Sequence, residues 1–248
     1  MAVPQPYEED VYTIQVVDFA FVPPPPGQGG RGVVLHSTRG DLKGIYHPVP
    51  GAQEGVLWVW GVRGGVDGPA NGCYRVLAQE LAQEHAIASL RLDYRCPGVL
   101  HECVLDALAG LSFLKGMGMK QVGLVGHSFG GAVVITAAPF SDIVACVVAL
   151  STQTYGAHGA GRVAPRPLLL VHGEADTHLP PACSRMVYGW AREPKELVIL
   201  PGAGHSLREA SDTLLPLLKE WLVRHLKPSS GAEEGPARVS GNPGPSLI

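Results

Sequence analysis

Apolar residues in this chain fall into short continuous runs separated by longer stretches with helical spacing. The runs at 32–37, 56–60, 87–92, 121–125, 143–150, 167–171 and 195–200 are strand-length. They are bounded by glycine, proline and polar clusters, so they predict strands. Mixed runs at 11–19 and 41–47 predict two more at the N-terminal side. Between them, Val76, Leu77 and Leu81 make an apolar stripe over 71–84, and Val104, Leu105, Leu108 and Leu111 make another over 101–115. Residues 182–191 and 207–226 read as further helices, and a helix also follows residue 128. Strands alternating with helices, most strands apolar throughout, predict a mostly parallel central sheet with helices on both faces.

Two segments stand outside this alternation. Residues 23–30 hold four prolines and three glycines and predict a loop. Residues from 227 onward are rich in Gly, Pro and Ser and predict a disordered tail over 227–248. The acidic, proline-containing start predicts an N-terminal extension over 1–9, which leaves one domain over 10–226. A chain of 248 residues with 46% hydrophobic composition buries a sizeable core at that size.

Charge and cysteine usage narrow the function classes. The net charge is -3 and the Lys and Arg residues form no run, so neither nucleic acid nor an acidic membrane surface is favoured. The longest apolar run is too short to cross a membrane. The start has neither a basic region nor an apolar region of signal-peptide type. Five cysteines (Cys73, Cys96, Cys103, Cys146 and Cys183) form no CxxC pair. They read as incidental thiols in a reducing, cytoplasmic setting.

The chemistry concentrates at Gly126-His127-Ser128-Phe129-Gly130-Gly131. A strand leads into it and a helix follows. Such a G-x-S-x-G turn lifts a serine out of the sheet in a strained backbone shape, and the flanking glycines leave room for the crowding. The helix N-terminus then aims N–H groups at the serine, where they can hold an oxyanion. Ser128 is the candidate nucleophile. A serine hydroxyl needs a base, and the base needs an orienting acid.

The favoured acid is Asp176, in His172-Gly173-Glu174-Ala175-Asp176 past the 167–171 strand, with Glu174 as its rival. The favoured base is His205, in Gly202-Ala203-Gly204-His205 past the 195–200 strand. His172 and His178 read as pocket walls and His127 as a packing neighbour of the serine. An oxyanion hole would use the backbone N–H of Phe129 and one from Gly61-Val62-Arg63-Gly64-Gly65. Val62 is preferred there, with Gly61 and Arg63 as alternatives. Asp93 and Arg95 predict an ion pair supporting that loop. The loop lacks a phosphate-cradle pattern, and the chain lacks an H-E-x-x-H motif or cysteine pair, so neither a bound cofactor nor a metal is expected.

With these residues in the order nucleophile, acid, histidine, the chain resembles the α/β-hydrolase superfamily over roughly residues 10–226. Gly40-Asp41-Leu42-Lys43-Gly44-Ile45-Tyr46-His47-Pro48 is further similar to the second-strand region of dienelactone-hydrolase-like and peptidase-like small hydrolases. The resemblance implies an eight-stranded, mostly parallel sheet with antiparallel first strands. It also implies a Ser-His-Asp triad at its carboxyl edge and a cofactor-free acyl-enzyme mechanism. The expected activity is hydrolysis of a small carboxylic ester or thioester. The alternatives are a non-catalytic binding or scaffold protein on the same fold, or an acyltransferase or haloperoxidase-like activity at the same triad. Only residues 151–166 separate two consecutive strands where many relatives insert a cap, so an open site is expected. Oligomeric state is not set by the sequence.

Overall fold

The computed structural model describes residues 13–227. The extension expected over 1–9, the start of the strand expected over 11–19, and all but the first residue of the tail expected over 227–248 lie outside them. The described residues build one nine-stranded sheet in the order β1-β2-β3-β5-β4-β6-β7-β8-β9. Its strands are β1 (Val16–Val22), β2 (Arg31–Ser37), β3 (Leu42–His47), β4 (Glu54–Val59), β5 (Ala88–Leu92), β6 (Gln121–His127), β7 (Val144–Leu150), β8 (Leu168–Gly173) and β9 (Lys195–Leu200). All pairings from β5 through β9 are parallel, while β1, β2, β3 and β5 pair antiparallel. The count exceeds by one the eight strands implied by the resemblance. It matches the number of strand-length runs in the sequence.

The period-two geometry of a strand sorts residues onto two faces. On one face Val56 and Trp58 pack with Tyr74, Leu77, Leu81, Leu218 and Trp221. These come from α1 (Pro69–His85) and α5 (Ser211–Leu226). On the other face Leu57 and Val59 pack with Cys103, Ala107, Leu111, Val133 and Val187. These come from α2 (Leu100–Gly116), α3 (Phe129–Ala137) and α4 (Ala182–Trp190). The strand β6 ends two residues later than the pattern predicts, and β1 starts and ends later. The helix expected over 207–226 is regular only from Ser211, because Leu207 turns left-handed and a short 3₁₀ turn, Arg208–Ala210, intervenes. The segment after β7 holds only a 3₁₀ turn, His158–Arg162, so no helical cap domain lies between β7 and β8.

One ion pair differs from expectation. Asp93 does brace the glycine loop, with its Oδ1 accepting from Gly65 N at 2.6 Å and Tyr94 N at 3.0 Å. Arg95, however, turns to α2, where it bonds Asp106 and Glu102. The physical reason is burial. The Asp106 side chain is fully enclosed and needs a cation, whereas Asp93 already has two backbone donors. Truncating one partner of a buried pair leaves an uncompensated charge. Arg95→Met is therefore expected to lower unfolding free energy by about 3–5 kcal/mol, with much of the loss recovered in Arg95→Met/Asp106→Leu. Urea denaturation of the two variants checks this.

Candidate active site

The site begins with a steric fact at the end of β6. Ser128 has φ 57° and ψ -117°, a conformation that side chains rarely adopt. Ser128 N donates to Leu150 O at 2.7 Å and Gly131 N donates to Ser128 O at 3.0 Å, which fix the turn from both sides. The crowding demands glycine on either side. A β-carbon on Gly126 would lie 2.1 Å from Gly130 O, and one on Gly130 would lie 2.2 Å from Trp60 O. Only without those atoms can β6, α3 and the loop after β4 converge on Ser128.

The loops after β8 and β9 are joined to each other by their backbones. Glu174 N donates to Leu200 O and Ala175 N to Ala203 O, each at 2.9 Å. A β-carbon on Gly173 would sit 2.3 Å from Ala203 O, so that glycine permits the approach. This juxtaposition places His205 between Asp176 and Ser128. His205 Nδ1 lies 2.7 Å from Asp176 Oδ2, and His205 Nε2 lies 3.0 Å from Ser128 Oγ. A carboxylate only accepts, so Nδ1 carries the proton and Nε2 accepts from the serine hydroxyl. Glu174 points away from this chain, is exposed and accepts from Gly202 N at 3.4 Å.

Asp176 Oδ1 accepts from the His178 and Leu179 N–H groups at 2.9 and 3.0 Å. Burial opposes its charge, but the His205 bond and these N–H groups outweigh it and hold the carboxyl below its ordinary range. Three more histidines surround His205. His178 is exposed and stacks on it at 5.5 Å between ring centroids. His127 is buried and donates from Nε2 to His205 O at 2.9 Å. His172, read from the sequence as a pocket wall, is instead fully enclosed and bonded to Asp176 Oδ2 at 3.1 Å. Its place at the end of β8, four residues before Asp176, was the available signal.

The oxyanion candidates lie on the two sides of the turn. Phe129 opens α3 and is buried, whereas Val62 is 54% exposed on the loop after β4. That loop passes close to the serine, since a β-carbon on Gly61 would lie 3.9 Å from the Ser128 β-carbon. Tyr94 spans both sides. Its hydroxyl donates to Trp60 O at 3.2 Å and its ring packs edge-on against Phe129.

A cavity of about 410 Å³ is lined by Trp60, Asn71, Arg75, Ser206 and Arg208 among others, with Ser128, Asp176 and His205 outside its lining. Ser206 adjoins His205 and Trp60 adjoins the candidate oxyanion loop. The cavity wall is held from behind by buried Arg91, which donates to Gln28 O at 2.6 Å and Gln28 Oε1 at 2.7 Å. Arg91 Nε also donates to His47 Nε2 at 3.2 Å. Among the described residues, all five cysteines are free thiols and no group of three or more His, Cys, Asp or Glu is arranged to hold a metal ion. No helix there is long and apolar enough to cross a membrane.

Burial pushes the His127 imidazole down to about 4, with its hydrogen bond to the His205 carbonyl only partly opposing. In the unfolded chain a histidine titrates near about 6.5. Between those two values the unfolded chain binds a proton that the folded chain refuses, so stability falls as the pH drops through that window. The loss from this one group is about 3 kcal/mol. His127→Gln is expected to flatten that part of the pH dependence in urea unfolding at pH 7, 5.5 and 4.5.

No family model matches the sequence. A 43-residue stretch is 46% identical to YfhR, an uncharacterised protein of Escherichia coli (strain K12), and spans 17% of this chain and 15% of that protein. Solved structures are similar over most of the chain. A dienelactone hydrolase from Anabaena variabilis matches with a TM-score of 0.66 and 23% identity, covering 77% of this chain and 94% of that one. The α/β hydrolase GrgF from Penicillium sp. sh18 matches with a TM-score of 0.65 and 17% identity, covering 85% and 99%. Est1E from Butyrivibrio proteoclasticus matches with a TM-score of 0.63 and 18% identity, covering 75% and 94%. Sheet order, turn geometry and these likenesses agree on one architecture: the chain has the α/β-hydrolase fold.

Proposed function

We propose that the protein is a serine hydrolase that cleaves a carboxylic ester or thioester through an acyl-enzyme intermediate. The observation that carries this reading is the unbroken chain Ser128 Oγ, His205 Nε2, His205 Nδ1, Asp176 Oδ2 at hydrogen-bond distances. His205 takes the Ser128 proton as Oγ attacks the carbonyl carbon. The resulting oxyanion is held by the backbone N–H groups of Val62 and Phe129. His205 then returns the proton to the departing alcohol or thiol. Water, deprotonated by His205, releases the acid and restores Ser128. Asp176 keeps its charge throughout and stabilises the imidazolium form of His205. The dienelactone hydrolase and esterase neighbours support hydrolysis at such a site.

Ser128→Ala is expected to lower hydrolysis of short p-nitrophenyl esters by about 10⁴-fold or more and to abolish labelling by a fluorophosphonate probe. Folded wild-type protein that neither labels nor turns over any acyl ester or thioester in a chain-length panel would overturn the proposal.

The cavity lined by Ser206, the chain neighbour of His205, extends the reading to the substrate. Arg75 and Arg208 give it a basic lining. Asp67 is engaged by Gln28 Nε2 at 2.9 Å and lies 3.6 Å from Arg91, so its charge is already matched. An ester carrying an anionic group therefore suits the site better than a neutral one of the same size. Arg208→Ala is expected to raise KM for a carboxylate-bearing ester by about 5–50-fold, the range of one charge-assisted hydrogen bond, and to leave a neutral ester nearly unaffected. Equal effects on both esters would refute the assignment.

A further inference from the structure

We propose that His172 is a positioning residue for the acid of the catalytic relay, and that the relay begins at Ser184 on α4 rather than at Asp176. The inference rests on the proposed hydrolase reading but concerns residues outside the three that carry the reaction.

The argument starts from donors and acceptors. His172 Nε2 faces two acceptors, Asp176 Oδ2 at 3.1 Å and Leu179 O at 2.8 Å. That nitrogen must therefore carry the proton. Its Nδ1 lies 2.6 Å from Ser184 Oγ, so in the neutral ring Nδ1 accepts from the serine hydroxyl. Ser184 thus selects the tautomer that lets His172 donate to the acid. Both side chains are fully buried, so no water competes for these bonds. Burial also holds the His172 imidazole below its ordinary range, which keeps it neutral beside the carboxylate.

Asp176 consequently has four donors, one of which, the His172 Nε2–H, it shares with Leu179 O. Oδ1 takes two backbone N–H groups, and Oδ2 takes His205 from one side and His172 from the other. The backbone pair fixes the carboxylate plane, and His172 fixes where Oδ2 sits within it. Because His172 is neutral, it supplies direction without cancelling the charge that His205 needs when it is protonated. It also draws part of the Oδ2 electron density toward itself, which tempers the basicity that Asp176 confers on His205.

The other groups facing this relay are His127 at the end of β6, His178 stacked on His205, Cys183 on α4 and Glu209, whose carboxylate holds Gly204 N. His127 remains neutral above pH 5. His178 is exposed and stacks on His205, so each variant is compared with His178→Gln itself, where one fewer imidazole overlaps the His205 titration.

In that background, His172→Phe removes the donor while keeping an aromatic ring. It is expected to lower kcat by about 10–100-fold with KM within about twofold, as loss of an orienting partner does elsewhere. Nuclear magnetic resonance titration of the His205 ring is expected to show its pKa raised by about half a unit to one unit, the worth of one weakened hydrogen bond. His172→Gln places an N–H near the original Nε2 and is expected to restore both quantities most of the way. Ser184→Ala is expected to shift the His205 titration in the same direction by less, and it covers the case in which His172→Phe does not fold. A His205 titration and a kcat unchanged in both His172→Phe and Ser184→Ala would overturn the proposal. So would a loss confined to thermal stability that His172→Gln does not restore. The His205 titration needs no turnover, so it decides the positioning role even if wild-type protein hydrolyses nothing, an outcome that would strike only the hydrolase reading.

Discussion

The absence of two β-carbons governs this molecule. Gly126 and Gly130 stand where any side chain would collide with backbone oxygens at little more than 2 Å. That closeness brings a strand end, a helix start and the loop after β4 to one point, and it forces Ser128 into a backbone shape that isolated chains avoid. The strain is sustained by the sheet. β6 pairs with β4 and β7 along nearly its whole length, and the Ser128 amide itself is drawn to Leu150 O. The remaining site geometry follows from this point, since the helix N-terminus and the Val62 loop are positioned relative to it.

Electrostatics adds a second layer. The site holds four imidazoles near one carboxylate, yet their environments differ sharply. His127 and His172 are enclosed, and burial keeps them neutral. His205 is partly open and bonded to Asp176 on one side and Ser128 on the other. Enclosure thereby divides four chemically identical side chains into two fixed donors, His127 and His172, and two that reach solvent, His178 and His205.

Much of this architecture was legible in the chain. Continuous apolar runs marked the strands because a sheet covered on both faces has no polar side to show. Ser128, Asp176 and His205 were readable because each follows such a run, and the structure brings all three within bonding distance. Less legible were features that depend on what lies across the fold. Arg95 and Asp93 look like a natural pair two residues apart, but burial of Asp106 decides the matter, and how deeply one polar helix residue is buried leaves no local signature. The pattern started α1 at residue 71, although Ala70, Asn71 and Gly72 turn left-handed there and Ala70 N is held by Ser206 O. His172 looked like a wall because its bonding partners, at 176, 179 and 184, converge only when the loop after β8 folds back and α4 packs on β8.

The backbone ties between the loops after β8 and β9 have a consequence for how this scaffold varies. Leu200 and Ala203 accept from Glu174 and Ala175, and Gly173 admits no side chain at the contact. Asp176 and His205 are therefore carried on a single two-loop module rather than on two independent segments. Grafting, lengthening or shuffling one of these loops without its companion would separate the pair, whereas transplanting both as a cassette preserves it. The loop after β4 is tied differently, to Asp93 and Tyr94 past β5 and to Gly130 on α3, so it answers to a separate set of partners.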